Sequence, residues 1–171
     1  MVVISNTDIQ KLLPRSVLKQ FRGILMSDET PKKRENGYYI FNLDDSMGNA
    51  SNNDDSIGTH WVGLVVRSQN SMYFDPFGKP PDDTIIKWLK RGRPNYEIWY
   101  STSPIQHIES TNCGFYVINF LEDMAKPTEQ PDLDKFYDAI HKDFSGKDQR
   151  KNEKKIQKRY NINEKTQKFS K

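Results

Sequence analysis

The 171 residues include a single cysteine, Cys113. One thiol excludes an intramolecular disulfide and a cysteine-rich zinc site. No apolar run approaches the roughly 20 residues needed to span a bilayer, and the first residues lack a signal peptide's order of basic, apolar and small-residue regions. No metal ligand set stands out: His141 has neither carboxylates nor a thiol around it in sequence. Nor does any segment call for a cofactor. Hydrophobic residues make up only 35% of the chain and mean hydropathy is −0.86, low for a compact domain, so some segment is expected to lie outside the core. The expectation is a protein of the cell interior or of a virion, neither secreted nor membrane-bound, and long enough for one domain with a substantial core.

Charge is present but unevenly spread. Residues 146–171 carry ten Lys and Arg against three acids, a net +7, which leaves the rest of the chain at −4. A basic extension on a mildly acidic body can hold a polyanion such as DNA, and a solvated, poorly ordered terminus gives the same composition. Its apolar residues are Ile156, Tyr160, Ile162 and Phe169, enough for at most one short amphipathic turn to dock on the body.

Ser5 to Asp8 offer a helix N-cap, and Ile9, Leu12 and Leu13 follow at helical spacing, with Val17, Leu18, Phe21 and Leu25 continuing the stripe. Pro14 interrupts it, which predicts two short packing helices. Residues 27–36 read as a charged loop and 37–43 as a strand. Residues 44–58 are mostly Asp, Asn, Ser and Gly, a loop long enough to be functional or mobile. His60 then opens a second strand, and a third ends at Asp75-Pro76-Phe77-Gly78. Any even-length loop between these strands puts His60 and Asp75 on the same face of the sheet. A loop centred between Arg67 and Ser68 would set them opposite each other. One spanning Ser68 to Ser71, which the turn residues favour, would pair Asp75 with Leu64 and leave His60 about 13 Å further along. Residues 82–91 and 131–144 have the spacing of packing helices.

Cys113 follows Ser110, Thr111 and Asn112, all capable of capping, and precedes an apolar run of helical character. The sulfur is thus placed at a helix N-terminus, where unpaired amides and the helix dipole favour an anion, and thiolate is the nucleophilic form of cysteine. Acyl transfer needs such a thiolate, an imidazole to hold and deliver a proton, and an acceptor that fixes the imidazole tautomer. Cys113, His60 and Asp75 are of the right types. The Cys113 backbone N–H and the Gln106 side-chain amide could serve as oxyanion donors. His107, beside Gln106, is expected to have a surface or supporting role.

G-T-H-W at 58–61, Y-F-D-P-F-G at 73–78, Gln106 seven positions before the cysteine, and N-C-G-F-Y at 112–116 together resemble the adenovirus-type cysteine proteases, adenain among them, whose clan includes the SUMO-specific proteases. The order His, acid, Gln, Cys is that clan's order. The likeness is most specific over residues 37–124, fits the N-terminal helices loosely and does not cover the basic tail. It implies Cys113 as nucleophile, His60 as general base and acid, Asp75 as orienting acid, Gln106 as oxyanion donor, and Trp61 as an aromatic wall beside a substrate glycine. It implies cleavage after small residues in Gly-containing motifs. The chain departs from adenain in having Asp in place of Glu, no second cysteine for a disulfide-linked activator peptide, and the 44–58 insertion, which becomes a candidate substrate flap. The D-P-F-G form and short N-terminal region resemble the proteases of double-stranded DNA viruses, virophages and related transposons, which implies capsid or core precursors as substrates during virion maturation.

The resulting expectation is an α+β fold, with a small central mixed sheet carrying His60 and Asp75, packed against a helix that starts at Cys113 and flanked by further helices. A monomeric cysteine-protease domain is expected over residues 1–145, followed by a basic tail over 146–171. Its three reactive groups should converge at an open groove. Other outcomes of the same pattern are a deconjugating enzyme acting on ubiquitin-like or SUMO-like tails, an acyltransferase, or an inactive relative that keeps the fold as a binding scaffold.

Overall fold

Ser5 starts the first helix with a capping box: its hydroxyl accepts from the Asp8 N–H at 3.2 Å, and the Asp8 carboxylate accepts the Ser5 N–H at 3.1 Å. The computed structural model describes residues 4–44 and 60–162; the expected flap over residues 44–58 lies outside them except for Asp44. Along the chain come α1 (Asn6–Leu12), α2 (Arg15–Leu18), β1 (Phe21–Met26), β2 (Gly37–Asn42), β3 (Trp61–Val66), β4 (Asn70–Phe74), α3 (Asp83–Lys90), β5 (Glu97–Tyr100), α4 (Cys113–Met124), α5 (Asp132–His141) and α6 (Gln149–Arg159). The architecture is α+β.

The strands form one mixed sheet in sequence order. The β2–β3 and β3–β4 pairs are antiparallel, and the outer pairs β1–β2 and β4–β5 are parallel. Side chains alternate between two cores, as the pleat requires. On one face Tyr38, Ile40, Val65, Met72 and Phe74 pack with α1, α2, α4, α5 and α6. On the other, Tyr39, Phe41, Val62, Leu64, Val66 and Tyr73 meet Ile85, Trp88 and Leu89 of α3. Helix α4 lies against β3 and is buried almost all round, with Phe120 against Phe74 at 4.7 Å between ring centroids. Gly63 makes this approach possible, since a Cβ there would lie 3.2 Å from both Val117 and Phe120.

Three elements differ from expectation. Phe21 and Leu25, read as helical, lie in β1, which pairs with β2 through a register shift between Phe21 and Gly23, the latter at φ 142°. The short edge strand β5 was not anticipated. Residues 149–159 form a helix of 11 residues rather than one docking turn, with Ile156 and Tyr160 fully buried and the Tyr160 ring 5.1 Å from that of Phe115. Among the described residues, no helix is long and apolar enough to cross a membrane.

Candidate active site

The site forms where three elements end: the start of β3, the end of β4 and the start of α4. His60 directly precedes β3, and its carbonyl accepts the Leu43 N–H at 2.8 Å, which extends the β2–β3 ladder by one step and anchors the residue. The β3–β4 turn is tighter than expected. Ser68 and Gln69 form its tip, with the Arg67 N–H donating to the Asn70 carbonyl at 2.9 Å. Gly63 therefore faces Phe74 and Leu64 faces Tyr73, a register between the two considered from sequence. Continued past Phe74, it leaves Asp75 two positions from His60, a diagonal that the side chains span.

Asp75 opens the turn that ends at Gly78. Its Oδ1 accepts the Phe77 N–H at 2.7 Å and its carbonyl accepts the Gly78 N–H at 2.8 Å. Gly78 has φ 71°, and a Cβ there would meet the Thr102 backbone at 2.9 Å, so the motif needs its glycine. With Oδ1 occupied, Oδ2 lies 3.0 Å from His60 Nε2. The Phe77 ring stacks on the imidazole, with centroids 5.0 Å apart and planes inclined by 28°. Two contacts, one polar and one apolar, thus fix the ring. The Pro76 carbonyl accepts the Ile105 and Gln106 N–H groups at 3.0 and 3.1 Å, which ties this turn to the segment leading into α4.

Cys113 is the first residue of α4, as the sequence implied, although Asn112 provides no side-chain cap. The Trp61 N–H points at Cys113 Sγ from 3.5 Å, and the imidazole of His60 hydrogen-bonds to the sulfur as well as to Asp75. Burial disfavours the imidazolium, but the hydrogen bonds to Asp75 and Cys113 and the attraction of both groups outweigh it and raise the His60 pKa to about 10. The two contacts thus favour the protonated ring.

Gln106 is buried. Its Nε2 donates to the Ser110 carbonyl at 2.9 Å, which sets the orientation of the amide, and its Oε1 has no partner among the described residues. Trp61 departs from expectation: the strand pleat turns its ring into the main core, where it is 1% exposed, so the residue offers the sulfur its backbone N–H and not an aromatic wall. The groove is likewise not open over the sulfur. Cys113 is 3% exposed and Asp75 1%, while the His60 side chain, at 19%, is the part that solvent reaches. The His107 ring instead faces Glu109, whose N–H donates to its Nδ1 at 3.3 Å. Among the described residues no cluster of His, Cys, Asp or Glu could hold a metal ion.

No family model and no curated protein matches the chain. Among solved structures it is similar to the ASFV pS273R protease, with 15% identity, 82% of this chain and 67% of that chain covered, and a TM-score of 0.49. It is also similar to the central domain of the uncharacterized Lpg1148 protein from Legionella pneumophila, with 13% identity, 93% and 96% covered, and a TM-score of 0.49. At these identities and scores the likenesses carry no functional inference, and the chemistry rests on the residues.

Two groups escaped the sequence reading. Phe77 was present in the quoted motif, but nothing in the motif says that its ring stacks on His60. Glu153 looked like one of a few acids in a basic tail. In the fold its carboxylate accepts from the His107 N–H at 3.1 Å, the Ser110 hydroxyl at 2.7 Å, the Asn112 amide at 2.8 Å and the Tyr116 hydroxyl at 3.0 Å.

Proposed function

We propose that the chain is a cysteine endopeptidase. The observation that carries the reading is the imidazole of His60, bonded at once to a buried carboxylate and to the chain's one sulfur at a helix N-terminus. In the reaction, Cys113 Sγ bonds to the scissile carbonyl carbon and the carbonyl oxygen becomes an oxyanion. In this reading the Cys113 backbone N–H and the Gln106 amide donate to it. The C–N bond then breaks, His60 delivers its proton to the leaving amine, and a thioester remains. Water attacks the thioester carbon, His60 takes up a proton, and the sulfur leaves. Asp75, with the stacked Phe77, keeps the ring in the orientation that serves both transfers.

For substrates we infer glycine-containing sites in viral capsid or core precursors, cleaved during particle assembly. Support comes from the G-T-H-W, D-P-F-G and N-C-G-F-Y motifs at their spacing, which resemble those of proteases with such substrates. The test is incubation of the purified chain with precursor proteins from the same genome and mapping of new termini by mass spectrometry. Cys113→Ser should keep its fold by circular dichroism and lose all turnover, since the exchange is close in size but removes the thiolate. Cleavage retained by that variant refutes the assignment.

A further inference from the structure

Several side chains of helix α6 bond to the stretch of chain that carries Gln106 and Cys113. Gln149 Nε2 donates to the Pro104 carbonyl at 3.3 Å. Asn152, 1% exposed, donates to the Ile105 carbonyl at 2.8 Å and the Ser145 carbonyl at 2.7 Å, and accepts the Ser145 N–H at 3.0 Å. One residue on, Glu153 takes its four hydrogen bonds from His107, Ser110, Asn112 and Tyr116. Ile156 and Tyr160 then anchor the helix in the main core.

The four donors to Glu153 are arranged with respect to the site. Ser110 is the residue whose carbonyl orients the Gln106 amide. His107 follows Gln106, and Asn112 precedes Cys113, its carbonyl accepting from the Phe115 N–H at 3.0 Å in the first turn of α4. Tyr116 lies one turn beyond the sulfur. A single carboxylate therefore sets both ends of the loop between the two oxyanion donors. Neither His60 nor Asp75 touches it. We propose that Glu153 is a positioning residue for those donors, so that α6 is a built-in clamp on the oxyanion site and not a dispensable tail. The consequence for turnover rests on the peptidase reading; the consequence for Gln106 does not.

Glu153→Gln keeps the size but offers acceptor oxygen at only one of the two terminal positions; of the two donors at the other, the hydroxyl can turn to accept from the new NH2 but the N–H cannot, so one of the four loses its partner. Removal of one oxyanion donor outright costs about 100- to 1,000-fold in kcat, and a misaimed donor should cost less, about 10- to 100-fold. The variant is expected to lose that much kcat with KM within about twofold, and to bind a peptide aldehyde, whose adduct places an oxygen at the oxyanion position, proportionately less well. Its rate of Cys113 alkylation by iodoacetamide, which needs the thiolate but no oxyanion donor, should match the parent. The Gln106 side-chain amide protons should shift in the NMR spectrum. Tyr116→Phe, which removes one of the four donors to Glu153 and touches neither Gln106 nor Ser110, should shift the same protons to a smaller extent and serves if Glu153→Gln fails to fold. Unshifted Gln106 protons, or parental kcat and aldehyde affinity, overturn the proposal, as does a parallel fall in alkylation and turnover. If the parent alkylates yet cleaves nothing, the peptidase reading fails while the Gln106 protons still decide the role of Glu153.

Discussion

Replacing Asp75 by Asn should lower the proton affinity of His60 and shrink the pH range over which the site is charged. The ring has a pKa of about 10 against an ordinary 6.5, with burial opposing the rise and hydrogen bonds and attraction from Asp75 and Cys113 driving it. Oδ2 is 3.0 Å from Nε2, and an opposite charge at such range is worth about 1–3 pKa units, or about 1.4–4 kcal/mol. With the carboxylate neutralised, burial stays and its main opponent goes, so the pKa should fall by at least that much. A second consequence concerns folding. Because the folded pKa is raised, the stabilisation is complete below the unfolded value near 6.5 and is lost as pH rises through about 10. Between those limits the folded state binds the extra proton, and stability should drop by about 1.4 kcal/mol per pH unit. The assay is an NMR titration of the His60 ring, with urea unfolding at pH 6, 8 and 10. A ring that titrates near 6.5 in the parent, an Asn variant with the same titration, or stability flat across the window would each refute the reasoning.

Gly114→Ala gains helix propensity but sets a Cβ 2.5 Å from Ile4 Cγ2 and 3.3 Å from Trp61 Cδ1. Ile4 is 1% exposed and has little room to retreat, so overpacking should win by about 1–3 kcal/mol in urea unfolding; a stabilised variant would mean that Ile4 yields freely. Ile156→Ala removes a side chain with no exposed surface from under α6 and should cost about 2–5 kcal/mol by the same measurement; a loss under 1 kcal/mol would show α6 to be loosely seated. If the basic tail binds DNA, exchanging exposed Lys154 and Lys158 of α6 for Ala should reduce the slope of log affinity against log salt by about two; an unchanged slope in titrations of duplex DNA removes α6 from any such interface.

Much of this architecture is legible because local signals agree with the tertiary result. Asp82 caps α3 through Oδ1 to the Ile85 N–H at 2.8 Å, and residues 82–91 already show the spacing of a packing helix. The apolar run after Asn112 places Cys113 at a helix start without any knowledge of the sheet. Where the signals conflict, the sheet wins. Phe21 and Leu25 continue a helical stripe, yet the edge of β2 offers them unpaired backbone groups, and Gly23 lets the chain bulge into parallel register. Helix α6 was underestimated for another reason. Its buried stripe is Asn152, Ile156 and Tyr160, at true helical spacing, but it opens on an amide that sequence patterning scores as polar. Only the fold reveals that this amide meets a carbonyl of the chain entering the site.

Two carboxylates flank the segment from Gln106 to Cys113, and their surroundings separate their duties. Asp75 faces a titratable ring and one backbone N–H, so its charge acts on proton affinity. Glu153 faces a backbone N–H, two hydroxyls and an amide, none of which changes charge near neutrality. Its hydrogen bonds act on geometry. Loss of Asp75 should therefore move the pH dependence of alkylation and turnover together, whereas loss of Glu153 should lower turnover at every pH and leave the pH profile where it was. The same logic explains why the two acids sit on different elements. The one that tunes the proton lies on the sheet with the imidazole, and the one that aims the donors lies on a helix that reaches the nucleophile loop from outside.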